Sequence, residues 1–95
     1  MEKVFVYGIF TESFTRYKIL GDISNQWYME LRGYSIRQHS RVPFKTIFES
    51  DMTSWVQGLI LEVTPEQLKL MDKIESIDRG LYRRVKIDDF WVYME

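Results

Sequence analysis

The stretch that runs from a strand directly into a capped helix constrains the fold of this chain most. Trp55–Val63 reads WVQGLILEV, an apolar run rich in β-prone residues that predicts a strand. Thr64 can cap the helix that follows, Pro65 suits the first helical position, and Gln67 completes a capping box. The sequence therefore predicts a strand joined without a linker to one well-defined helix.

One acid of this helix, Glu75, falls among apolar side chains. At about 100° per residue, Glu75 lies between Leu68 and Met71 on the face expected to turn inward. A carboxylate on such a face is paired, protonated or functional. The residues alone leave two interpretations open. Glu75 either meets Arg79, Arg83 or solvent at the helix end, or it is a buried acid with a raised pKa, as general acid–base catalysis requires.

The composition narrows the classes of function. A chain of 95 residues with 45% hydrophobic residues predicts one globular domain, residues 1–95. There is no cysteine and a single histidine, which excludes disulfides, thiolate nucleophiles and multi-histidine metal sites. No apolar run approaches the roughly 18 residues of a membrane span, and the start lacks a signal-peptide layout. We therefore expect a cytoplasmic protein that does not enter a membrane.

The first predicted strand, residues 3–10, is interrupted by Gly8. A glycine within a strand often marks a bulge or a close approach of backbone to another group. If the chain turns there, the amides of Ile9 and Phe10 can point together into a cavity and hold an anion or an oxyanion. An ordinary glycine at a strand end is the alternative.

The rest of the chain predicts mainly strands. A short helix is expected within residues 11–20, residues 23–29 are ambiguous, and His39 is interpreted as a solvated loop residue. Further strands are predicted at residues 31–38, 45–49, 82–87 and 90–94. The predicted fold is α+β: a mostly antiparallel, barrel-like sheet of about six strands with one main helix and one short helix.

Nucleic-acid binding is considered because basic residues lie in two groups. The net charge of −1 and the dispersed acids offset their field, so no nucleic-acid partner is expected. The groups are Arg37, Arg41 and Lys45, and Arg79, Arg83, Arg84 and Lys86.

Four segments together resemble the γ-glutamylcyclotransferase-like family, which includes γ-glutamylamine cyclotransferases and plant avirulence-induced-gene-2-like proteins. VFVYGIF is similar to the family signature V-Y-G-T-L, and VQGLILEVTPEQLKLMDKIE is similar to its central strand followed by a helix ending L-D-x-x-E-G. LYRRVKI and FWVYME resemble the Y-x-R-x-x-V strand and the final aromatic strand. The segments keep the family's order and cover essentially the whole chain.

The resemblance implies an enzyme that releases 5-oxoproline and a free amine or amino acid from a γ-glutamyl substrate by intramolecular amine attack. It implies a small-molecule substrate and no metal or cofactor. The aromatic residues of the chain leave both a monomer and a homodimer open. By matching positions it assigns Glu75 as the catalytic acid–base and, as substrate-binding residues, Tyr7, Gly8, Ile9, Phe10, Tyr82 and Arg84.

Three positions depart from the family pattern. Ile9 replaces the signature threonine, Phe10 replaces the leucine, and Ser76 stands where a glycine follows the acid. These changes keep a second hypothesis open. In it, the chain is a non-catalytic binding module whose cavity holds a small anionic or amino-acid-like ligand or a protein partner.

Overall fold

The computed structural model describes residues 1–95 and confirms the α+β class. The strands are β1 (Glu2–Val6), β2 (Asn25–Arg32), β3 (Tyr34–Gln38), β4 (Lys45–Glu49), β5 (Trp55–Val63), β6 (Arg83–Ile87) and β7 (Phe90–Met94). The helices are α1 (Ser13–Leu20) and α2 (Pro65–Ile74), with short 3-10 turns at Ile9–Thr11 and Ile77–Arg79. Neither α-helix has the length and apolar character that crossing a membrane would require.

The seven strands form two sheets, where one sheet of about six strands is predicted. Five strands lie in the order β2-β5-β1-β7-β6, and β3 and β4 form a separate two-stranded ribbon. The pairing of β1 with β7 is parallel, whereas the other pairs are antiparallel. The predicted strand at residues 31–38 is divided at Gly33, whose φ of 85° turns the chain between β2 and β3. The ambiguous residues 23–29 lead into and contribute to β2.

Strand β1 is central and buried on both faces, as its continuous apolar sequence predicts. Val4 and Val6 pack in the cluster on the helix side of the sheet, together with Met71 of α2. Phe5 packs on the opposite side, in a cluster that includes Ile47 of the ribbon. Full burial of such a side chain contributes roughly 1.5–3 kcal/mol, so β1 links two cores that stabilise the domain from either side.

The beginning of α2 has the predicted capping box. The amide of Gln67 donates to Thr64 Oγ1 over 3.1 Å, and the amide of Thr64 donates to Gln67 Oε1 over 2.8 Å. The same Gln67 side chain donates through Nε2 to the carbonyl of Leu20, 3.0 Å away at the end of α1. One glutamine therefore caps one helix and joins it to the other.

Hydrogen bonds attach the ribbon to the residue after β7 and to the residue before β6. The amide of Glu95 donates to Thr46 Oγ1 over 2.8 Å, and the Tyr82 hydroxyl donates to the Lys45 carbonyl over 2.7 Å. The interpretation of His39 as solvated is wrong, because its side chain is fully enclosed where the ribbon meets Tyr82. Its Nε2 lies 2.5 Å from the Leu81 carbonyl oxygen, so these contacts hold the end of the ribbon against the body of the domain.

Candidate active site

A cavity of about 520 Å³ opens between the end of β1, the end of α2 and the loop that precedes β4. Eleven of its 16 lining residues are hydrophobic, and these surround a small number of polar groups. This is the usual character of a small-molecule site. The lining residues are Phe5, Val6, Tyr7, Gly8, Ile9, Phe10, Val42, Pro43, Phe44, Lys45, Ile74, Glu75, Ser76, Leu81, Tyr82 and Tyr93.

One wall is formed by the turn at Gly8. Strand β1 ends at Val6, earlier than the predicted boundary at residue 10, and a 3-10 turn follows at Ile9–Thr11. The amide and hydroxyl of Thr11 both donate to the Gly8 carbonyl, at 3.0 and 2.6 Å. The amides of Ile9 and Phe10 open this turn, where no carbonyl within the turn can accept them. A methyl group added at Gly8 would meet no atom within 4 Å, so open space adjoins this residue.

Glu75, which follows Ile74 at the end of α2, also lines the cavity. Its side chain is partly buried and forms no ion pair or hydrogen bond with another side chain, although Arg79 and Arg83 are near in sequence. Burial alone raises the pKa of Glu75 to about 7. Immediately after it, Ser76 has a left-handed backbone with a φ of 54°, which turns the chain away from the helix. With this pKa, the Glu75 carboxyl group is close to half ionised at neutral pH.

Three tyrosines line the cavity, and each hydroxyl donates to a protein acceptor. Tyr7 donates to the Tyr93 carbonyl over 2.6 Å, Tyr82 to the Lys45 carbonyl, and Tyr93 to Asp72 Oδ1 over 2.5 Å. Burial raises the pKa of Tyr82 to about 12, with a further contribution from the charge of Glu75. Burial also raises the pKa of Tyr7 and of Tyr93. All three phenols therefore stay protonated near neutrality and act as fixed parts of the wall.

Arg84 lies outside this cavity, unlike the other residues assigned by resemblance. Its guanidinium stacks over the Trp91 ring at 4.5 Å, and its Nε lies 3.5 Å from Asp72 Oδ1. Strand β6 begins at Arg83, so Tyr82 lies before the strand. The alternation of side chains along the strand therefore does not place Arg84 on the same side as Tyr82. The structure thus brings together Glu75 and the predicted binding residues Tyr7, Gly8, Ile9, Phe10 and Tyr82, without Arg84.

Sequence reasoning did not assign the residues of the loop before β4 to the site. Phe44, with its neighbours Val42 and Pro43, lines the cavity, and so does Lys45. The loop is held by hydrogen bonds from the His39 amide to the Phe44 carbonyl and from Gln38 Nε2 to the Val42 carbonyl, at 2.8 and 2.9 Å. No local pattern indicates this arrangement, since it depends on contacts between distant parts of the chain.

A comparison with protein families shows to which family this chain belongs. The family described as "Gamma-glutamyl cyclotransferase, AIG2-like" matches residues 4–94, nearly the whole chain. The chain belongs to this family. The resemblance seen in the sequence is confirmed. Among curated proteins, no sequence matches the chain significantly.

Solved structures share the fold of this family member. Two proteins from Arabidopsis thaliana, both determined in solution, superpose with TM-scores of 0.76 and 0.75 at 23% and 27% sequence identity. A structure titled "Gamma-glutamyl cyclotransferase" superposes with a TM-score of 0.78 at 15% identity. Each match covers 98% of this chain but 67%, 61% and 65% of the respective relative, so the chain spans about two thirds of their length.

Proposed function

We propose that this protein is a γ-glutamylcyclotransferase that converts a γ-glutamyl amide into 5-oxoproline and a free amine, with Glu75 as its general acid–base. The observation that carries the proposal is the position of Glu75, an acid without a partner in the wall of a largely apolar cavity. An acid held in this way is destabilised as a carboxylate and is therefore able to exchange protons near neutral pH.

The reaction proceeds within one substrate molecule. The α-amine of the γ-glutamyl group attacks its own γ-carbonyl carbon, which forms a five-membered ring and a tetrahedral oxyanion. The bond from that carbon to the amide nitrogen then breaks, and the nitrogen leaves as an amine. No water is consumed and no electrons are transferred. Because both reacting groups belong to one molecule, holding the folded conformer supplies a large part of the rate advantage.

Proton transfer, stabilisation of the oxyanion and the shape of the pocket are assigned to residues of the chain. Glu75 as the carboxylate accepts the proton that the attacking amine loses, and as the acid it returns that proton to the departing nitrogen. The amides of Ile9 and Phe10, which line the same cavity as Glu75, are assigned to the oxyanion. Tyr7 and Tyr82 are assigned to the shape of the γ-glutamyl pocket, since their hydroxyls are bound to carbonyls of the protein.

A non-catalytic binding role is the second candidate, and the sequence of the Gly8 turn favours it. Ile9 and Phe10 replace a hydroxyl-bearing residue and a smaller apolar one, so the turn is bulkier and has one hydrogen-bonding group fewer. In this case the same cavity binds a small anionic or amino-acid-like ligand without turnover. Both candidates use one cavity, so activity separates them where fold does not.

The test is release of 5-oxoproline from γ-glutamyl amides, γ-glutamyl amino acids, γ-glutamyl-lysine isopeptide and glutathione. The wild type and Glu75→Gln are assayed together, with circular dichroism showing that both are folded. Release by the wild type and its loss in the variant support the enzyme and the role of Glu75. A folded wild type that releases 5-oxoproline from none of these substrates overturns the enzymatic proposal and favours the binding module.

A further inference from the structure

We propose that the free edge of β2 is a dimer interface, at which two copies of this chain pair their β2 strands in antiparallel orientation around a two-fold axis at Tyr28. Two features of β2 carry the proposal: the open backbone groups of its edge and the order of its side chains. No residue of β2 lines the cavity, so the interface is separate from the candidate active site and independent of the proposed function.

The five-stranded sheet has two edges, β2 and β6, and they differ in how they resist pairing with another chain. Strand β6 is five residues long and carries three positive charges, on Arg83, Arg84 and Lys86. Strand β2 is eight residues long, contains no lysine, proline or glycine, and has one acid and one base. Its register with β5 is continuous from Asn25 to Arg32, so no bulge bends this edge away. Such an edge offers its unpaired backbone groups to another strand.

The backbone groups of alternate β2 residues point away from β5. The amide of Gly33, the residue after β2, donates to the Ser54 carbonyl over 2.9 Å, so the ladder ends on a hydrogen-bonded pair. Hydrogen-bonded and non-hydrogen-bonded pairs alternate along an antiparallel ladder. The backbone groups of Tyr28 and Glu30 therefore face the open edge. The amide of Gln26 fits this alternation, because it donates to the side-chain oxygen of the preceding residue over 3.0 Å.

The order of side chains makes β2 complementary to itself when the axis lies at Tyr28. In this register Tyr28 opposes Tyr28 of the second copy, Trp27 opposes Met29, and Gln26 opposes Glu30. Opposed side chains project from the same face of a sheet, so apolar groups meet apolar groups on both faces. Tyr28 is 58% exposed and Trp27 is 39% exposed in the single chain, and pairing covers both. The two Glu30 carboxylates stay four residues apart, or roughly 13 Å along the strand.

Other registers are less favourable. Because opposed side chains must share a face, the axis passes through a residue and not between two. An axis at Glu30 sets two carboxylates directly opposite each other, and an axis at Met29 brings them to diagonal positions about 7–8 Å apart. An axis at Trp27 pairs only residues 25–29, whereas an axis at Tyr28 pairs residues 25–31. The register at Tyr28 therefore combines long pairing with separated like charges.

This pairing stops at two copies. Both copies contribute the same edge, so the interface is isologous and closes on itself. The result is one continuous sheet whose outer edges are both β6, and the positive charges of β6 oppose further addition. A single pair of strands buries less surface than a standard stable interface, so the dimer is expected to exchange with the monomer.

Sedimentation equilibrium over protein concentrations from about 5 to about 500 µM measures the dissociation constant of the dimer. Tyr28→Lys should weaken the dimer by about tenfold or more, because two ammonium groups then oppose each other at the axis. Phe14→Lys is the matched control, since Phe14 is an aromatic residue of α1 that is 67% exposed; it should leave the dissociation constant unchanged. A wild type that stays monomeric throughout, or a dimer that Tyr28→Lys does not weaken, overturns the proposal.

Glu30→Pro tests the contribution of the backbone. Proline removes an amide that faces the open edge and leaves the ladder with β5 intact, so the variant should fold and remain monomeric. Met29→Pro should instead destabilise the single chain, because its amide faces β5. Circular dichroism and sedimentation measure folding and association. A folded Glu30→Pro that dimerises like the wild type overturns pairing through β2.

The chain contains no cysteine, so single introduced cysteines report the register. Tyr28→Cys should form a disulfide-linked dimer on mild oxidation, because opposed Cα atoms of a hydrogen-bonded pair lie about 5.5 Å apart, within the range of a disulfide. Met29→Cys should cross-link less, since its two copies lie on diagonal positions about 7–8 Å apart. Phe14→Cys gives the background from random collision. Preferential cross-linking of Met29→Cys overturns the register, and cross-linking of Tyr28→Cys at the background rate overturns the interface.

Discussion

Two acids three residues apart at the end of α2, Asp72 and Glu75, face regions of very different character. Asp72 faces an outer groove, where it accepts the hydroxyl of Tyr93 at 2.5 Å and lies 3.5 Å from Arg84 Nε. Glu75 faces the cavity and has neither kind of partner. The ring of Tyr93 lies between these regions, since it lines the cavity while its hydroxyl reaches the groove.

Both carboxyl groups are partly buried, so burial alone does not explain the difference between them. The surroundings of Asp72 supply a hydroxyl donor and a guanidinium, which satisfy a charged acid. The surroundings of Glu75 supply mainly aromatic and aliphatic side chains, which raise its pKa to about 7. Asp72 has hydrogen-bonding and charged partners and is suited to a structural role, whereas Glu75 has none and is suited to proton transfer.

The largest expected effect is the loss of activity in Glu75→Gln. Removal of a general acid–base group lowers kcat by about 100-fold or more. The free energy of unfolding should stay the same or rise slightly, because a buried charge is removed at nearly constant shape. Activity is measured as 5-oxoproline release and stability by urea unfolding. If the variant unfolds at room temperature instead, Glu75 stabilises the fold as Asp72 does, and the contrast drawn between the two acids is wrong.

The reverse pattern is expected for Asp72→Asn. The amide is a weaker partner for the Tyr93 hydroxyl and for Arg84, so the free energy of unfolding should fall by about 1–3 kcal/mol. Activity should fall less than tenfold, because Asp72 does not line the cavity. Urea unfolding and kcat/KM measure the two effects. Asp78→Asn, an exposed acid on the nearby 3-10 turn, serves as control and should change stability by less than about 0.5 kcal/mol.

The pH dependence of stability should report the raised pKa of Glu75. The pKa of Glu75 is about 7 in the folded protein and near 4.5 in the unfolded chain, so the folded protein binds more protons between these values. The contribution of Glu75 is therefore fully present below about pH 4.5 and is lost as the pH rises through 7. Its size is on the order of 1–3 kcal/mol.

Urea unfolding of the wild type and Glu75→Gln at pH 5 and pH 8 measures this contribution. The variant should gain stability relative to the wild type on going from pH 5 to pH 8, and kcat/KM of the wild type should show an acid limb with an apparent pKa near 7. An equal stability difference at both pH values would mean that Glu75 titrates normally, and the environment inferred for it would be wrong.

The parts of the fold that follow from local chemistry could be predicted from the sequence. The start of α2 depends on Thr64 and Gln67, three residues apart, and the capping box forms as expected. The inward position of Glu75 also followed from helical periodicity, because neighbouring turns of one helix determine it. The β6–β7 hairpin likewise depends on a short local turn.

The remaining features depend on contacts between distant segments. His39 looks like a polar loop residue in sequence, yet it is buried because Leu81 and Tyr82, more than 40 residues away, enclose it. Phe44 enters the cavity wall for a similar reason. Arg84 was assigned to the site by its position in a motif, but in β6 its guanidinium packs on Trp91 and lies near Asp72, outside the cavity. Local patterns do not encode such long-range placements.

The smallest expected effect concerns Ser76, which sets the direction of the chain just after Glu75. A φ of 54° is unfavourable for a residue with a Cβ, whereas glycine adopts it without steric cost. After subtraction of the greater freedom of glycine in the unfolded chain, Ser76→Gly should stabilise the protein by about 0.5–1 kcal/mol. That corresponds to a rise in Tm of a few degrees for a domain of this size.

Asp88→Gly is the matched control, because Asp88 has a φ of 52° in the β6–β7 turn. Aspartate tolerates the left-handed region better than serine does, so its replacement should stabilise the protein less. Thermal unfolding of both variants gives the order, and a larger gain for Asp88→Gly would contradict it. If Ser76→Gly raises Tm and leaves kcat/KM unchanged, the backbone turn alone directs Glu75 into the cavity. If it raises Tm and lowers kcat/KM, the serine side chain also positions Glu75. The contrast between Glu75 and Asp72 then depends on the side chain of Ser76 as well as on its backbone.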